Sequence, residues 1–160
     1  MSDRPQLTLE RTFKASPEEV WELWTTREGI ESWWGPEGFS VEVETMDLRP
    51  GGALVYAMTA TGTDQIEYMV QAGMPLTTRS RITFVDVDPP RRLAYKNLVE
   101  FIPAVEPYEV ETVVRLEPVD GGVHLVVSFD RMHDESWTRM AVMGHESELG
   151  RLEAILASRS

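Results

Sequence analysis

Residues 31–40 of this 160-residue chain read ESWWGPEGFS, and they join a helical segment to a strand-like segment. Gly35 and Pro36 stop a helix, so Trp33 and Trp34 lie at its end. Adjacent helical residues point about 100° apart, and the two rings therefore cannot face the same neighbour. We expect one ring to fill the core and the other, Trp34, to form the wall of a cavity.

Two short helices are predicted ahead of this corner. Ser16 is a good N-cap, Pro17 suits the first helical position, and Glu19 meets the positive end of the helix dipole. A second helix is predicted over residues 27–34, after a pair of threonines. Upstream of both, apolar and polar residues alternate over residues 7–14, which predicts a first strand.

Downstream of the corner, the sequence predicts a meander of antiparallel strands. The pairs Gly51-Gly52 and Asp120-Gly121 are typical of hairpin turns between such strands. Alternating patterns predict strands over residues 39–48, 53–61, 81–88, 91–101, 108–118 and 121–131. Between them, residues 66–72 are interpreted as a further strand and residues 73–78 as a loop.

Residues 134–158 contain no proline and predict one long helix that closes the chain. Apolar and small residues recur near helical spacing along it, at Trp137, Met140, Ala141, Gly144, Leu149, Leu152 and Leu156. A strand, two short helices, several antiparallel strands and a terminal helix make an α+β fold. The terminal helix is expected to cover the apolar face of the sheet.

The composition narrows the possible partners and chemistry. A formal net charge of −12 disfavours nucleic acid and anionic membranes as partners. The absence of cysteine excludes disulfides and thiolate chemistry. No segment resembles a signal peptide or a membrane span, and we expect a cytoplasmic protein with a single domain over residues 1–160. Either a monomer or a homodimer is compatible with the sequence.

Several stretches together resemble a known family. They are SPEEVWELWT at 16–25, WWGPEGF at 33–39, DLRPGGALVYAM at 47–58, DVDPPRRLAYK at 86–96 and ELGRLEAIL at 148–156. This set is similar to the homologues of the activator of heat-shock-protein ATPase, within the START-like (SRPBCC) helix-grip superfamily. The resemblance implies a curved antiparallel sheet of about six or seven strands that wraps around a long C-terminal helix and leaves an apolar cavity.

The chain departs from the family pattern at two places. The segment over residues 65–78 is longer than the usual turn between the third and fourth strands, and we expect it to form a lid. The terminal helix carries Gly144 and His145 where relatives often have an aromatic residue. That departure is expected to widen or polarise the cavity.

Strand alternation then predicts the residues of a ligand site. If Leu54 faces the helix, the same register turns Tyr56, Met58, Tyr95 and Asn97 inward. An unpaired buried amide costs on the order of 1–3 kcal/mol, so Asn97 needs a partner from protein, water or ligand. The predicted lining is Trp34, Tyr56, Met58, Tyr95, Asn97, Phe101, Trp137 and Met140, with Met69 and Met74 on a mobile rim.

The leading functional hypothesis is a non-enzymatic protein that binds a small hydrophobic, aromatic, lipid or polyketide-like molecule without a cofactor. One alternative is a co-chaperone-like module that binds a heat-shock ATPase and has a filled core. Another is a polyketide cyclase-like enzyme in which Tyr56, Tyr95 and Asn97 supply hydrogen bonds.

The titratable residues predict no catalytic or metal site. The three histidines lack the spacing of a metal motif, and no nucleophile elbow or phosphate loop is present. Because neighbouring helical residues diverge, His145, Glu146 and Glu148 are interpreted as a solvated cluster.

Overall fold

The computed structural model describes residues 6–35, 38–99 and 104–159. Within them the strands are β1 (Gln6–Phe13), β2 (Phe39–Met46), β3 (Ala53–Ala60), β4 (Thr77–Asp88), β5 (Arg92–Val99), β6 (Tyr108–Val119) and β7 (Gly122–Asp130). The helices are α1 (Pro17–Thr25), α2 (Arg27–Trp33), α3 (Thr63–Gln71) and α4 (Glu135–Arg159).

The strands form one antiparallel sheet in the order β1-β7-β6-β5-β4-β3-β2. Consecutive strands from β2 to β7 are neighbours, while β1 pairs with β7 at the far edge. Register shifts between Val43 and Thr45 and between Phe84 and Asp86 interrupt the ladders, and irregularities of this kind bend a strand. The seven-stranded curved sheet and the long C-terminal helix confirm the predicted α+β helix-grip fold.

The inner face of the sheet follows the predicted alternation. Leu54 and Tyr56 on β3, Tyr95 on β5 and Phe129 on β7 are all buried. Their neighbours one position along the chain point to the other face, because successive side chains alternate in a strand. The hairpin predicted at Asp120-Gly121 joins β6 to β7, with Gly121 at a φ of 76°. That left-handed conformation favours glycine.

The two short helices form as predicted and are tied to each other. Ser16 and Glu19 make a complete capping box at the start of α1. The indole Nε1 of Trp33 donates a hydrogen bond of 2.8 Å to the carbonyl oxygen of Leu23, so the end of α2 is anchored to α1. This contact places the Trp33-Trp34 pair against the inner face of the sheet.

Helix α4 packs on the sheet through a single face. Leu149, Leu152 and Leu156 belong to the same buried cluster as the inner strand residues and the helices α1 and α2. Met143 lies on the opposite side of α4 and is 69% exposed. The sheet, the two short helices and α4 therefore share one hydrophobic core.

The interpretation of residues 66–72 as a strand is wrong, because residues 66–71 belong to α3 and Ala72 is its C-cap. Ile66, Tyr68 and Val70 recur at every second position, which is the spacing of a strand. In the folded chain Tyr68 and Val70 are exposed, and α3 buries Met69 instead. The loop predicted over residues 73–78 is also too long, since β4 begins at Thr77 and pairs with Thr59 of β3.

The packing of α4 predicts a difference between two truncations on opposite faces of the helix. Leu152→Ala removes a side chain that is 0% exposed. We expect it to lower the free energy of unfolding by about 2–5 kcal/mol, because it leaves a cavity in the core. Met143→Ala is the matched control and should change that free energy by less than about 0.5 kcal/mol. Urea unfolding of both variants measures the difference, and equal effects would contradict the packing described here.

Candidate functional site

A cavity of about 350 Å³ lies between the inner face of the sheet and α4. The aromatic rings of α1 and of the α2 end close one side of it. Strands β3, β5, β6 and β7 form the floor, and α4 forms the roof. The lining residues are Trp24, Trp33, Trp34, Tyr56, Met58, Tyr95, Asn97, Thr112, Val127, Ala141, Gly144, His145, Glu148 and Leu149.

The tryptophan pair borders this cavity together with a third tryptophan. The ring centroid of Trp24 lies 4.6 Å from that of Trp33 and 6.3 Å from that of Trp34, with the rings steeply inclined in both pairs. Trp34 in turn lies 6.0 Å from both Tyr56 and Tyr95. Both rings of the 33–34 pair are buried and both line the cavity, so neither serves only as a core plug.

Helix α4 supplies the polar part of the roof. Gly144 has open space where a Cβ would stand, so it adds room at this level of the cavity. His145 stacks on Phe129 of β7, with 4.2 Å between the ring centroids and 29° between the planes. Gly144 thus leaves room in the roof, and His145 gives it a polar ring.

Glu148 is the carboxylate of the cavity. Its Oε2 accepts a hydrogen bond of 3.1 Å from the backbone N–H of Gly35, immediately after the tryptophan pair. Burial raises the pKa of Glu148 to about 7, while the Gly35 hydrogen bond and the positive charge of Arg151 oppose the shift. Near neutral pH this side chain therefore changes between a neutral acid and an anion.

Arg151 is the second residue of α4 that binds the backbone next to Trp34. Arg151 donates from Nη1 to the backbone oxygens of Gly35 at 2.9 Å, Phe39 at 3.3 Å and Trp34 at 3.4 Å. Glu148 and Arg151 thus bind the donor and acceptor groups of the same turn. This turn needs Gly35, whose φ is 88°.

The interpretation of His145, Glu146 and Glu148 as a solvated cluster is wrong for two of the three. His145 and Glu148 line the cavity, whereas Glu146 is exposed. At about 100° per residue, positions 145 and 148 lie within about 40° of the buried Leu152, and position 146 lies about 120° away. The spacing from the buried leucines was the sequence signal that could have found both residues.

Burial also shifts the other titratable groups of the cavity. It lowers the pKa of His145 to about 4, so the ring is neutral near pH 7. It raises the pKa of Tyr56 and of Tyr95, and the negative charge of Glu148 adds to both shifts. Both phenols therefore keep their protons near neutral pH.

Two polar atoms in the wall are unsatisfied. Among the described residues, the side-chain oxygen Oδ1 of Asn97 and the indole Nε1 of Trp24 are buried and have no partner in hydrogen-bonding geometry, although Trp24 lies close enough to the Tyr95 hydroxyl to act against the rise in the pKa of Tyr95. One is an acceptor and the other is a donor. A buried donor or acceptor without a partner lowers the folding stability unless another group forms a hydrogen bond with it.

The structure brings half of the predicted lining together. Trp34, Tyr56, Met58, Tyr95 and Asn97 all border the cavity. The other described residues of the predicted site lie elsewhere: Met69 is buried on α3, Met74 is exposed beyond it, Trp137 lies near His133, and Met140 is 51% exposed. Phe101 lies outside the described residues.

A second cavity of about 480 Å³ adjoins the first. Asn97, Thr112, Ala141 and His145 border both spaces. The second space extends toward the start of β4 and the end of β7, where its charged lining residues are Arg79, Arg81 and Asp130. Residues at the shared boundary can therefore contact a ligand that reaches into either cavity.

The described residues contain no group of three or more acidic or histidine side chains placed to hold a metal ion. Within the same ranges, no helix has the length and apolar character needed to cross a membrane.

The fold and the cavity are those of a helix-grip protein. A match to a protein-family model identifies the family within this class. The model described as activator of Hsp90 ATPase homolog 1-like protein matches residues 14–157. The chain therefore belongs to that family, as its sequence motifs indicated. No curated protein gives a significant match to this chain.

Solved structures of similar fold come from several bacteria. A protein from Chromobacterium violaceum is 23% identical with a TM-score of 0.77, and the match covers 94% of this chain and 96% of that one. The AHSA1 protein from Silicibacter pomeroyi is 21% identical with a TM-score of 0.76, covering 98% and 100%. A protein from Mycobacterium smegmatis is 21% identical with a TM-score of 0.75, covering 99% and 94%. At these identities the likeness establishes the fold alone.

The raised pKa of Glu148 predicts how Glu148→Gln changes the pH dependence of stability. Its folded-state pKa of about 7 exceeds the ordinary value of 4.5, so the folded protein binds the proton more tightly than the unfolded chain. Its favourable contribution is full below about pH 4.5 and is lost as the pH rises through about 7. Glu148→Gln should be more stable than wild type by on the order of 3 kcal/mol at about pH 8, and by no more than about 1 kcal/mol at about pH 5.

Urea unfolding of both proteins across this pH range measures the difference. The comparison between them is essential because His145, whose pKa is lowered, loses stability as the pH falls from 6.5 toward about 4 and opposes Glu148 in wild type. Parallel stability profiles for wild type and Glu148→Gln would show that Glu148 has an ordinary pKa.

Proposed function

We propose that this protein binds a small hydrophobic, aromatic ligand in the cavity between the sheet and α4. The ligand would stack against the tryptophans and tyrosines and would exchange hydrogen bonds with the polar groups of the wall. No cofactor is required for this role.

The size and lining of the cavity support this proposal. Small-molecule sites are usually concavities of roughly 300–1,000 Å³ with apolar walls and a few polar groups that orient the ligand. The first cavity is about 350 Å³, and aromatic rings dominate its wall. Its polar groups are few and distinct: Asn97, Thr112, His145 and Glu148, in addition to the two tyrosine hydroxyls.

The unsatisfied Asn97 is the observation that carries the proposal. A buried amide oxygen without a partner costs on the order of 1–3 kcal/mol, and an apolar residue of similar size would avoid this cost. A ligand N–H or O–H would satisfy Oδ1 of Asn97, and a ligand acceptor would satisfy Nε1 of Trp24. A ligand that offers both a donor and an acceptor suits the pair best.

The cavity also weighs against the co-chaperone alternative, which requires a filled core. The cyclase alternative is favoured by one observation, the pKa of Glu148 near 7, since a group with such a pKa can both accept and donate a proton at neutral pH. In that second candidate function Glu148 would act on a bound polyketide-like substrate beside Tyr56 and Tyr95. Turnover of such a substrate, lost in Glu148→Gln while binding persists, would distinguish a cyclase from a binding protein.

The binding role predicts opposite effects of Asn97→Leu on stability and on affinity. The variant removes an unsatisfied buried amide, so its melting temperature should rise by a few degrees, the equivalent of about 1 kcal/mol. Binding of any ligand that donates to Asn97 should weaken by at least about tenfold. Thermal-shift screening with flavonoids, aromatic polyketides, sterols and fatty acids identifies ligands, and tryptophan fluorescence titration measures their affinity.

Val85→Asn is the matched control, because Val85 lies on β4, is 42% exposed and borders neither of the two cavities. It should leave ligand affinity unchanged. If no compound of the panel shifts the melting temperature or changes tryptophan fluorescence, the ligand-binding proposal is overturned.

A further inference from the structure

The cavity has an unusual combination of groups for an apolar site. Five aromatic rings, those of Trp24, Trp33, Trp34, Tyr56 and Tyr95, surround a space that also contains a carboxylate. Neighbouring rings are inclined to each other by 49–90°, with centroids 4.6–6.3 Å apart, so they pack edge to face or tilted instead of in a flat stack.

Rings in this arrangement offer a favourable environment to a positive charge. The face of an aromatic ring is electron-rich, and a cation within about 6 Å of its centroid gains about 0.5–2 kcal/mol, more when water is excluded. Boxes of tryptophan and tyrosine rings are used in this way to bind quaternary ammonium groups.

The charge of the lining residues also favours a positively charged ligand. Among the described lining residues, Glu148 is the only group that carries a charge near neutral pH, because His145 is neutral and both tyrosines keep their protons. Arg151 supplies a positive charge nearby on α4, but its guanidinium donates to the backbone oxygens of Trp34, Gly35 and Phe39. The cavity itself therefore holds a negative charge and no positive one.

We propose that the cavity selects a hydrophobic molecule that carries an amine or quaternary ammonium cation, with the cation held between the Glu148 carboxylate and the aromatic rings. This inference rests on the ligand-binding role proposed above and narrows its ligand to a cationic class. The apolar body of the molecule would occupy the space beside Met58, Val127 and Leu149. A ligand amine N–H could also reach the unsatisfied Oδ1 of Asn97.

The ionisation of Glu148 links this selectivity to pH. The groups around Glu148 are the Gly35 N–H from the turn after α2, His145 and Arg151 from α4, Tyr56 from β3 and Tyr95 from β5. Of the lining groups, only Glu148 changes charge between about pH 5 and about pH 8, because the pKa of His145 is about 4 and the phenol pKa values are raised. Affinity for a permanent cation should therefore rise with pH through about 7.

The test compares two probes of the same shape with the intact protein. Benzyltrimethylammonium carries a permanent positive charge, and neopentylbenzene replaces its nitrogen with carbon. Tryptophan fluorescence titrations at constant ionic strength measure both dissociation constants at about pH 5 and about pH 8. We expect at least about a tenfold preference for the cation at the higher pH and little preference at the lower pH.

The variant Glu148→Gln tests the contribution of the carboxylate charge to cation binding separately from the contribution of the aromatic rings. Its amide oxygen can still accept the hydrogen bond from Gly35, so the turn should be retained, while the charge is removed. The preference for benzyltrimethylammonium should no longer rise between about pH 5 and about pH 8, and at both pH values it should stay near the low-pH preference of wild type. Glu146→Gln is the matched control, since it makes the same change of charge at an exposed position two residues away. It should keep the wild-type preference.

The outcomes distinguish this inference from the broader ligand-binding role. Equal or tighter binding of neopentylbenzene at about pH 8 overturns the cationic selectivity and leaves a neutral hydrophobic ligand. If Glu146→Gln lowers the preference as much as Glu148→Gln, the effect is long-range and the assignment to the cavity is also overturned. If neither probe binds, but a neutral compound of the screening panel does, the cationic class again fails. Failure of every compound overturns both proposals.

Discussion

The structure depends on the contact between α4 and the turn that follows Trp34. The backbone of this turn presents an N–H group and several carbonyl oxygens toward the helix, and it reaches this conformation through the positive φ of Gly35. Glu148 satisfies the N–H, and Arg151 satisfies the carbonyl oxygens. Hydrogen bonds to charged side chains are among the stronger ones in proteins. They hold the helix at a fixed position above the tryptophans and the sheet.

This arrangement places a carboxylate where an all-apolar core would be more stable. Burial raises the pKa of Glu148 to about 7, so keeping the anion at higher pH costs folding free energy. The unsatisfied oxygen of Asn97 and N–H of Trp24 add to this cost. Deviations from the most stable arrangement tend to cluster at functional sites. All three groups line the same cavity, which is the physical basis of the two ligand proposals.

The sequence predicted the sheet more accurately than the helices. The period of two along β3 and β5 turned Tyr56 and Tyr95 toward the core as predicted, because each of these strands has one face against the core. The same rule misplaced α3, where Tyr68 and Val70 alternate like strand residues but are exposed on a helix. On α4, apolar Met140 was expected in the cavity, yet it lies about 120° around the helix from Leu152. Glu148, which is charged, occupies the cavity side instead.

Local patterns in the chain were sufficient to determine the fold class and the inward face of each central strand. They also determined the helix-breaking corner after the tryptophans, because hydrophobic period and turn chemistry act over a few residues. Only the tertiary structure decided the rotation of α4 about its axis. That rotation depends on how Leu149, Leu152 and Leu156 pack on the sheet and on the bonds from Glu148 and Arg151 to a turn more than one hundred residues earlier. Glu148 comes to line the cavity through such distant contacts, which no local pattern contains.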